Sequence, residues 1–264
     1  MLDWIGVGLF IFLILTFFYK QATHEFRINQ ANYSQKGSGS LVELWKERVP
    51  VVIREIPKPK TWLYEDVISR SCYQHLPLFQ EKSLVEWIKE VASYDGVVCP
   101  WRYQEAEKIA KVSGISIWGK KHLQPIMDDG ALLPWGWGWW NHANYYAWAG
   151  NRGLHRTYAT WTCILPVEDE IVVTIFPERM ESYLPQEWMG AFPSEWTKRD
   201  TPFVDEIKYM DIVVRPETML CLPPHWFLSW RRKDGEKKNQ LPMVYTIGYH
   251  NPISLFAFHM AREK

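Results

Sequence analysis

Residues 4–19 read WIGVGLFIFLILTFFY, a run without charge or proline that is bracketed by Asp3 and Lys20. A bilayer hydrocarbon core takes ~20 mostly apolar helical residues, within a range of roughly 17–25. Leu2 to Tyr19 meets the lower bound, so residues 2–20 are expected to form a transmembrane anchor. Trp4, Phe10, Phe12, Phe17, Phe18 and Tyr19 would give it an aromatic surface, and Lys20 would close it at the polar boundary. A cleaved signal peptide would carry a basic n-region and a small-residue cleavage site, and this flank has neither. A buried core helix would show a polar face, and this run has none. Lys20, Arg27 and Lys36 follow the run. The positive-inside rule then predicts a lumenal amino terminus and a cytosolic C-terminal domain.

The rest of the 264-residue chain is charged and aromatic, with thirty acidic and thirty basic residues and no net charge. Nucleic-acid binding rests on a basic excess or patch, so no nucleic-acid partner is expected. The densest basic cluster, Arg231, Arg232, Lys233, Lys237 and Lys238, is interrupted by Asp234, Gly235 and Glu236 and reads as a solvated hairpin loop. Cys72, Cys99, Cys163 and Cys221 stand singly, without the paired spacing of structural zinc. In a reducing cytosol they are expected to be free and buried; on the opposite side of a membrane two disulfides would become available. Sixteen tryptophans are far more than ordinary usage and imply an aromatic-lined groove or broad protein contacts.

Residues 21–40 are polar, end in Gly-Ser-Gly-Ser, and read as a flexible stalk, leaving 41–264 as the globular domain. The spacing predicts helices over 41–48, 62–71, 82–93 and 103–112, the third with Ser83 and Glu86 as a capping box. Val49–Ile53 is the first β-branched run, and residues 125–150 read as irregular. From about 154 the pattern turns to short strands at 161–167, 171–177, 211–216, 219–224, 226–232 and 244–250. Such spacing argues for a sandwich or barrel. The carboxy-terminal SLFAFHMAREK is left open between a strand and a helix.

Three patches carry a family resemblance. LVELWKERVPVVIREIPKP with Trp62, GLHRTYATWTCILPVEDEIVVTIFPERMESYLP (153–185) and DIVVRPETMLCLPPHWFLSW (211–230) resemble, in order, the landmarks of the cupin-like, JmjC-type proteins. The resemblance implies a double-stranded β-helix (jelly roll) with flanking helices, and hence a mainly β (α+β) domain behind the anchor. It also implies a test for iron. Non-haem Fe(II) oxygenases hold the metal with two His and one carboxylate and leave positions open for 2-oxoglutarate and oxygen. By the resemblance, His155 matches the first ligand, Thr157 stands at the carboxylate, and Leu228 stands at the second His. Pro216-Glu217-Thr218 replaces the family's Pro-Gly-Asp turn. Two of three ligands are missing, so no cofactor is expected. Another register stays open, with His142, His155 and His225 as weak metal candidates, His250 nearby, and Glu168 or Asp169 as the carboxylate.

The segment PWGWGWWNH (134–142), followed by Tyr145, Tyr146 and Trp148, is the other unusual patch. Trp135, Trp137, Trp139, Trp140, Tyr145, Tyr146 and Trp148 form either a surface for a partner or a loop that closes one mouth of the barrel. Glu168-Asp169-Glu170 reads as a solvated turn, and Ser229 and Ser254 lack the context of a hydrolase nucleophile. Three functions are therefore expected. The first is a non-catalytic, membrane-anchored scaffolding protein, which by resemblance to anchored proteins of large DNA viruses would join an internal virion membrane to capsid components. The second is a membrane-bound Fe(II)/2-oxoglutarate oxygenase with an atypical triad. The third is a glycan- or peptide-binding module.

Overall fold

The structure is a computed structural model that describes residues 2–20, 26–35, 40–79, 82–91, 94, 96–129, 142–233 and 241–262. The order of elements is α1 (Leu2–Lys20), β1 (Asn29–Asn32), α2 (Ser40–Glu47), β2 (Val51–Arg54), α3 (Tyr64–Ser69), α4 (Ser71–Gln74), β3 (Pro77–Phe79), β4 (Lys82–Ser83), α5 (Leu84–Val91), α6 (Tyr103–Ser113), α7 (Ile115–His122) and α8 (Gln124–Asp129). It continues with β5 (His142–Ala149), β6 (Arg152–Arg156), β7 (Trp161–Pro166), β8 (Ile171–Phe176), β9 (Met210–Val214), β10 (Met219–Leu222), β11 (Phe227–Arg232), β12 (Met243–His250) and α9 (Pro252–Arg262).

Two sheets build the body. One runs β1-β2-β10-β7-β12-β5 and the other β6-β11-β8-β9. Apart from the β8–β9 step, consecutive strands from β5 to β12 change sheet, so their side chains fill the space between. β5, β12, β7 and β10 pair antiparallel, with Thr246 opposite both Tyr146 and Ile164. All eight residues of β12 are buried. A strand covered on both faces reads as a continuous apolar run, which is what VYTI supplies. Seven described tryptophans (45, 62, 101, 148, 161, 226 and 230) lie in the core. Several indoles find acceptors there: Trp62 donates to Trp148 O at 3.0 Å, Trp148 to Thr246 Oγ1 at 2.9 Å and Trp230 to Gly150 O at 3.2 Å. The described share of the tryptophan excess therefore goes largely into packing.

The expected fold class is corrected. The chain is a mixed α/β domain with sheets, in which residues 64–129 make six helices that the sequence reading only partly anticipated. Among the described residues, no helix is long and apolar enough to cross a membrane. The single-pass anchor over 2–20, and the lumenal and cytosolic sides drawn from it, are withdrawn. The last turn of α1 is part of the domain. Tyr19, expected at a lipid boundary, is 6% exposed, and its hydroxyl donates to Tyr158 O at 2.8 Å. Its ring meets His225 edge-on at 4.7 Å, so the apolar length left for a span is shorter than the run suggests. Trp4, Phe10, Phe12 and Phe17 are exposed, and Lys20 is exposed beyond them. The side chain of Phe18 lies outside the described residues.

Three further readings change. Residues 29–32 were expected in a stalk, but they form β1 and pair parallel with β2 through Asn29 opposite Val51. The stretch 125–150, expected to be irregular, contains α8 and β5. Cys72 is exposed, whereas Cys99, Cys163 and Cys221 are buried and all four are free. Other features match their patterns. The Ser83 amide donates to Glu86 Oε2 at 2.9 Å and the Glu86 amide to Ser83 Oγ at 3.3 Å, which is a capping box. The carboxy-terminal segment is a helix, α9.

Gly153 in β6 marks a close backbone crossing. The amide of Leu154 donates to Ala191 O and the amide of Gly190 donates to Leu154 O, each at 2.8 Å. A Cβ on Gly153 would overlap the Gly190 backbone. Gly153→Ala should therefore cost about 3 kcal/mol or prevent folding, because the obstacle is main chain that cannot rotate away. Gly190→Ala meets open space but carries a positive φ of 83°, and should cost only roughly 1 kcal/mol. Urea unfolding of both variants checks the order, and equal costs would refute the close crossing.

Candidate functional site

The residues that carried the family resemblance converge between the sheets. His155 on β6 lies directly opposite Leu228 on β11. Thr157 follows, and its amide donates to Trp226 O at 2.8 Å while the His225 amide donates to Thr157 O at 2.8 Å. The Thr157 hydroxyl donates to Pro223 O at 3.0 Å and accepts from the Trp226 amide at 3.0 Å. That side chain holds the β10–β11 turn in place. The three positions are neighbours, but they supply one imidazole, one committed hydroxyl and one hydrocarbon.

A bulge determines what else enters the interior. Two steps along β11, from Leu228 to Trp230, oppose three steps along β6, from His155 back to Arg152. An extra residue in one strand resets the alternation of side chains. Arg152 and His155 consequently face the same interior. The guanidinium carbon of Arg152 stands 3.4 Å from the Trp148 ring centre, 4.8 Å from that of Tyr103 and 5.8 Å from that of Trp230. His155 meets the Trp230 ring edge-on at 5.6 Å, and its Nδ1 lies 3.1 Å from Gly153 O. Burial, and then the positive charge of Arg152, push the His155 pKa well below the usual histidine range. The imidazole is neutral at physiological pH.

A cavity of about 30 Å³ adjoins these groups. Tyr146, Thr246, Gly248 and His250 line it from the larger sheet, His155 and Thr157 from the smaller sheet and its edge, and Tyr103 and Phe258 from the helices. His250 is buried, with Nδ1 3.4 Å from Ser254 Oγ. Burial lowers its pKa to about 4, with smaller contributions from His142 and His259. On the rim, Arg156 is paired with Glu178 and Glu181, and one of its guanidinium nitrogens lies 3.4 Å from His225 Nδ1. His225 itself sits at a left-handed φ of 67°.

The sequence-derived candidates are only partly brought together. His155 and His250 line the inner cavity, and His142 lies across from His250 in the β5–β12 ladder but opens to a separate groove. That groove, of about 610 Å³, runs between α6, α7 and the start of β5, with Lys111, Lys120, Asn144 and Tyr145 on its walls. His225 is in the ion-pair cluster with Arg156 and Tyr19. Glu168 and Glu170 are engaged elsewhere: the Tyr64 amide donates to Glu168, and Glu170 pairs with Arg215 at 2.9 Å and Lys233 at 2.6 Å. Among the described residues, no group of three His, Cys, Asp or Glu could hold a metal ion.

The aromatic surface is corrected as well. Tyr146 and Trp148 are buried, and Tyr145 packs against Gly119 of α7, so these three belong to the interior and the helix contact. Trp135, Trp137, Trp139 and Trp140 lie outside the described residues. Sequence reasoning missed Arg152 and Tyr103. Arg152 had one signal, a charge at the head of an otherwise inward-facing strand in NRGLHR, but its meaning depended on the bulge. With the geometry in view, no family model matches the chain, and no curated protein matches it.

Both interior histidines are held neutral, so their protons bind more readily in the unfolded chain. A histidine pKa of about 4 when folded, against ~6.5 unfolded, adds stability above pH 6.5 that is lost as pH falls toward 4. His250 alone accounts for about 3 kcal/mol of that loss. The urea midpoint should drop between pH 6.5 and 4 in the wild type, and His250→Gln should flatten the slope. An unchanged slope would show that His250 titrates normally.

Proposed function

We propose that this chain is a non-catalytic scaffolding protein, a member of the cupin-like class suggested by its motifs in which the metal position has been given over to packing. The observation that carries the reading is the chemical content of the interior. His155 has Thr157 and Leu228 as its neighbours, and the guanidinium of Arg152 contributes a positive charge where a ferrous ion would need negative ones. A cavity of about 30 Å³ is also far below the ~300 Å³ at which small-molecule sites begin. Fe(II) and 2-oxoglutarate have no place in this reading, and the oxygenase alternative is what the first test could restore.

The partner in this reading is another protein, and the resemblance to virion proteins points to a shell component. Trp4, Ile5, Leu9, Phe10 and Leu13 of α1 are exposed large apolar side chains. A contiguous exposed apolar surface of this kind marks a contact site. The third reading, an aromatic binding module, loses Tyr146 and Trp148 to the core.

Elemental analysis of protein purified anaerobically with Fe(II) and 2-oxoglutarate tests the non-catalytic part. We expect iron at background and no succinate. Near-stoichiometric iron that disappears in His155→Ala would overturn the proposal. Photo-cross-linking from position 10 in cells tests the scaffolding part. One dominant protein adduct, lost when Leu9 and Leu13 are changed to Ser, is the expected result; adducts unaffected by those changes would count against it.

A further inference from the structure

We propose that Cys163 and Cys221 become joined by a disulfide that fastens β10 to β7 when the chain folds in the presence of a disulfide oxidant such as glutathione disulfide. The two residues lie directly opposite each other in the antiparallel β7–β10 pair. Opposed residues in such a pair have Cα atoms about 4.5–5.5 Å apart, inside the range of roughly 4.4–6.8 Å that disulfides span. The two sulfurs are already in contact at 3.2 Å. A disulfide holds its sulfurs about 2.05 Å apart, so each moves by roughly half an ångström to bond. Both side chains are fully buried in the larger sheet. The other two thiols lie elsewhere: Cys72 is exposed, and Cys99 is buried against the backbone of Trp101 and Ala149.

The position of the pair gives the bond a structural role. β10 is a four-residue strand in which Cys221 lies opposite Val51 of β2 on one side and Cys163 on the other. Two residues further on, Pro223 O accepts the hydroxyl of Thr157. The cross-link therefore fixes the middle of the larger sheet immediately before the turn that Thr157 holds. It also closes a loop between positions 58 apart in sequence, which restricts the unfolded chain and stabilises the folded one. In the reaction both cysteine S–H bonds and the S–S bond of glutathione disulfide break. The Cys163–Cys221 bond and two glutathione S–H bonds form, so the chain gives up two electrons and two protons and glutathione disulfide takes up both. Once the sheet has closed, burial and the neighbouring Cys163 push the Cys221 pKa up, which leaves little thiolate for exchange. The bond is made while β10 is still docking. None of this rests on the scaffolding reading.

The test is refolding of the full chain in a glutathione disulfide/glutathione buffer, followed by denaturation, alkylation without reduction, and peptide mass mapping. It is run on the wild type and on Cys72→Ser, which removes the exposed thiol and keeps Cys99, Cys163 and Cys221. In Cys72→Ser, alkylation at Cys99 alone is expected, with one cross-linked peptide pair that joins positions 163 and 221. Alkylation at all three positions, or a bond from either partner to Cys99, overturns the proposal. If Cys72→Ser does not fold, the wild type decides by the presence or absence of the same peptide pair. The oxidised protein should melt roughly 10 °C above a control refolded with a phosphine reductant. A cross-link that leaves Tm unchanged overturns the structural role.

Discussion

A guanidinium taken out of water has to be surrounded by groups that replace its hydration, and in this chain that requirement organises the interior. The Arg152 guanidinium lies over the Trp148 ring, beside Tyr103 and Trp230. Each of those rings is fixed in turn. Trp148 donates its indole N–H to Thr246, Trp230 donates to Gly150 O, and Tyr103 meets Tyr146 and Phe258 edge-on. One cation thus ties together β5, β6, β11, β12, α6 and α9. Removing it would leave aromatic faces without a partner and a void between the sheets.

The same charge bears on chemistry. A neutral His155 is in principle a metal ligand. Next to Arg152, and with Thr157 bound to the backbone of the β10–β11 turn, it belongs to no group of three His, Cys, Asp or Glu that could hold a metal among the described residues. Leu228 lies beside His155, and the Thr157 hydroxyl ties the β10–β11 turn through Pro223 O and the Trp226 amide.

The amino-terminal helix shows how an apolar run can mislead. Hydropathy along 4–19 reports only that these side chains avoid water. It does not report that Tyr19 spends its ring and hydroxyl on His225 and Tyr158, which are more than 130 residues away in sequence. The polar stretch behind it misleads in the opposite direction. NQAN has little strand propensity, yet it becomes β1 because the Val51–Arg54 edge offers a ladder of unpaired backbone groups.

Local signals determined much of the molecule. The capping box of Ser83 and Glu86, the β-branched runs of β2, β7, β8 and β12, and the glycine that ends α6 at Gly114 all depend on residues within a few positions of one another. Tertiary structure alone decided that Arg152 turns inward, that Tyr146 and Trp148 are core, that His142 faces a different groove from His155, and that α1 is docked at Tyr19. Each of those outcomes depends on a bulge, a strand order or a long-range contact, and none of these leaves a trace in the periodicity of the segment it governs.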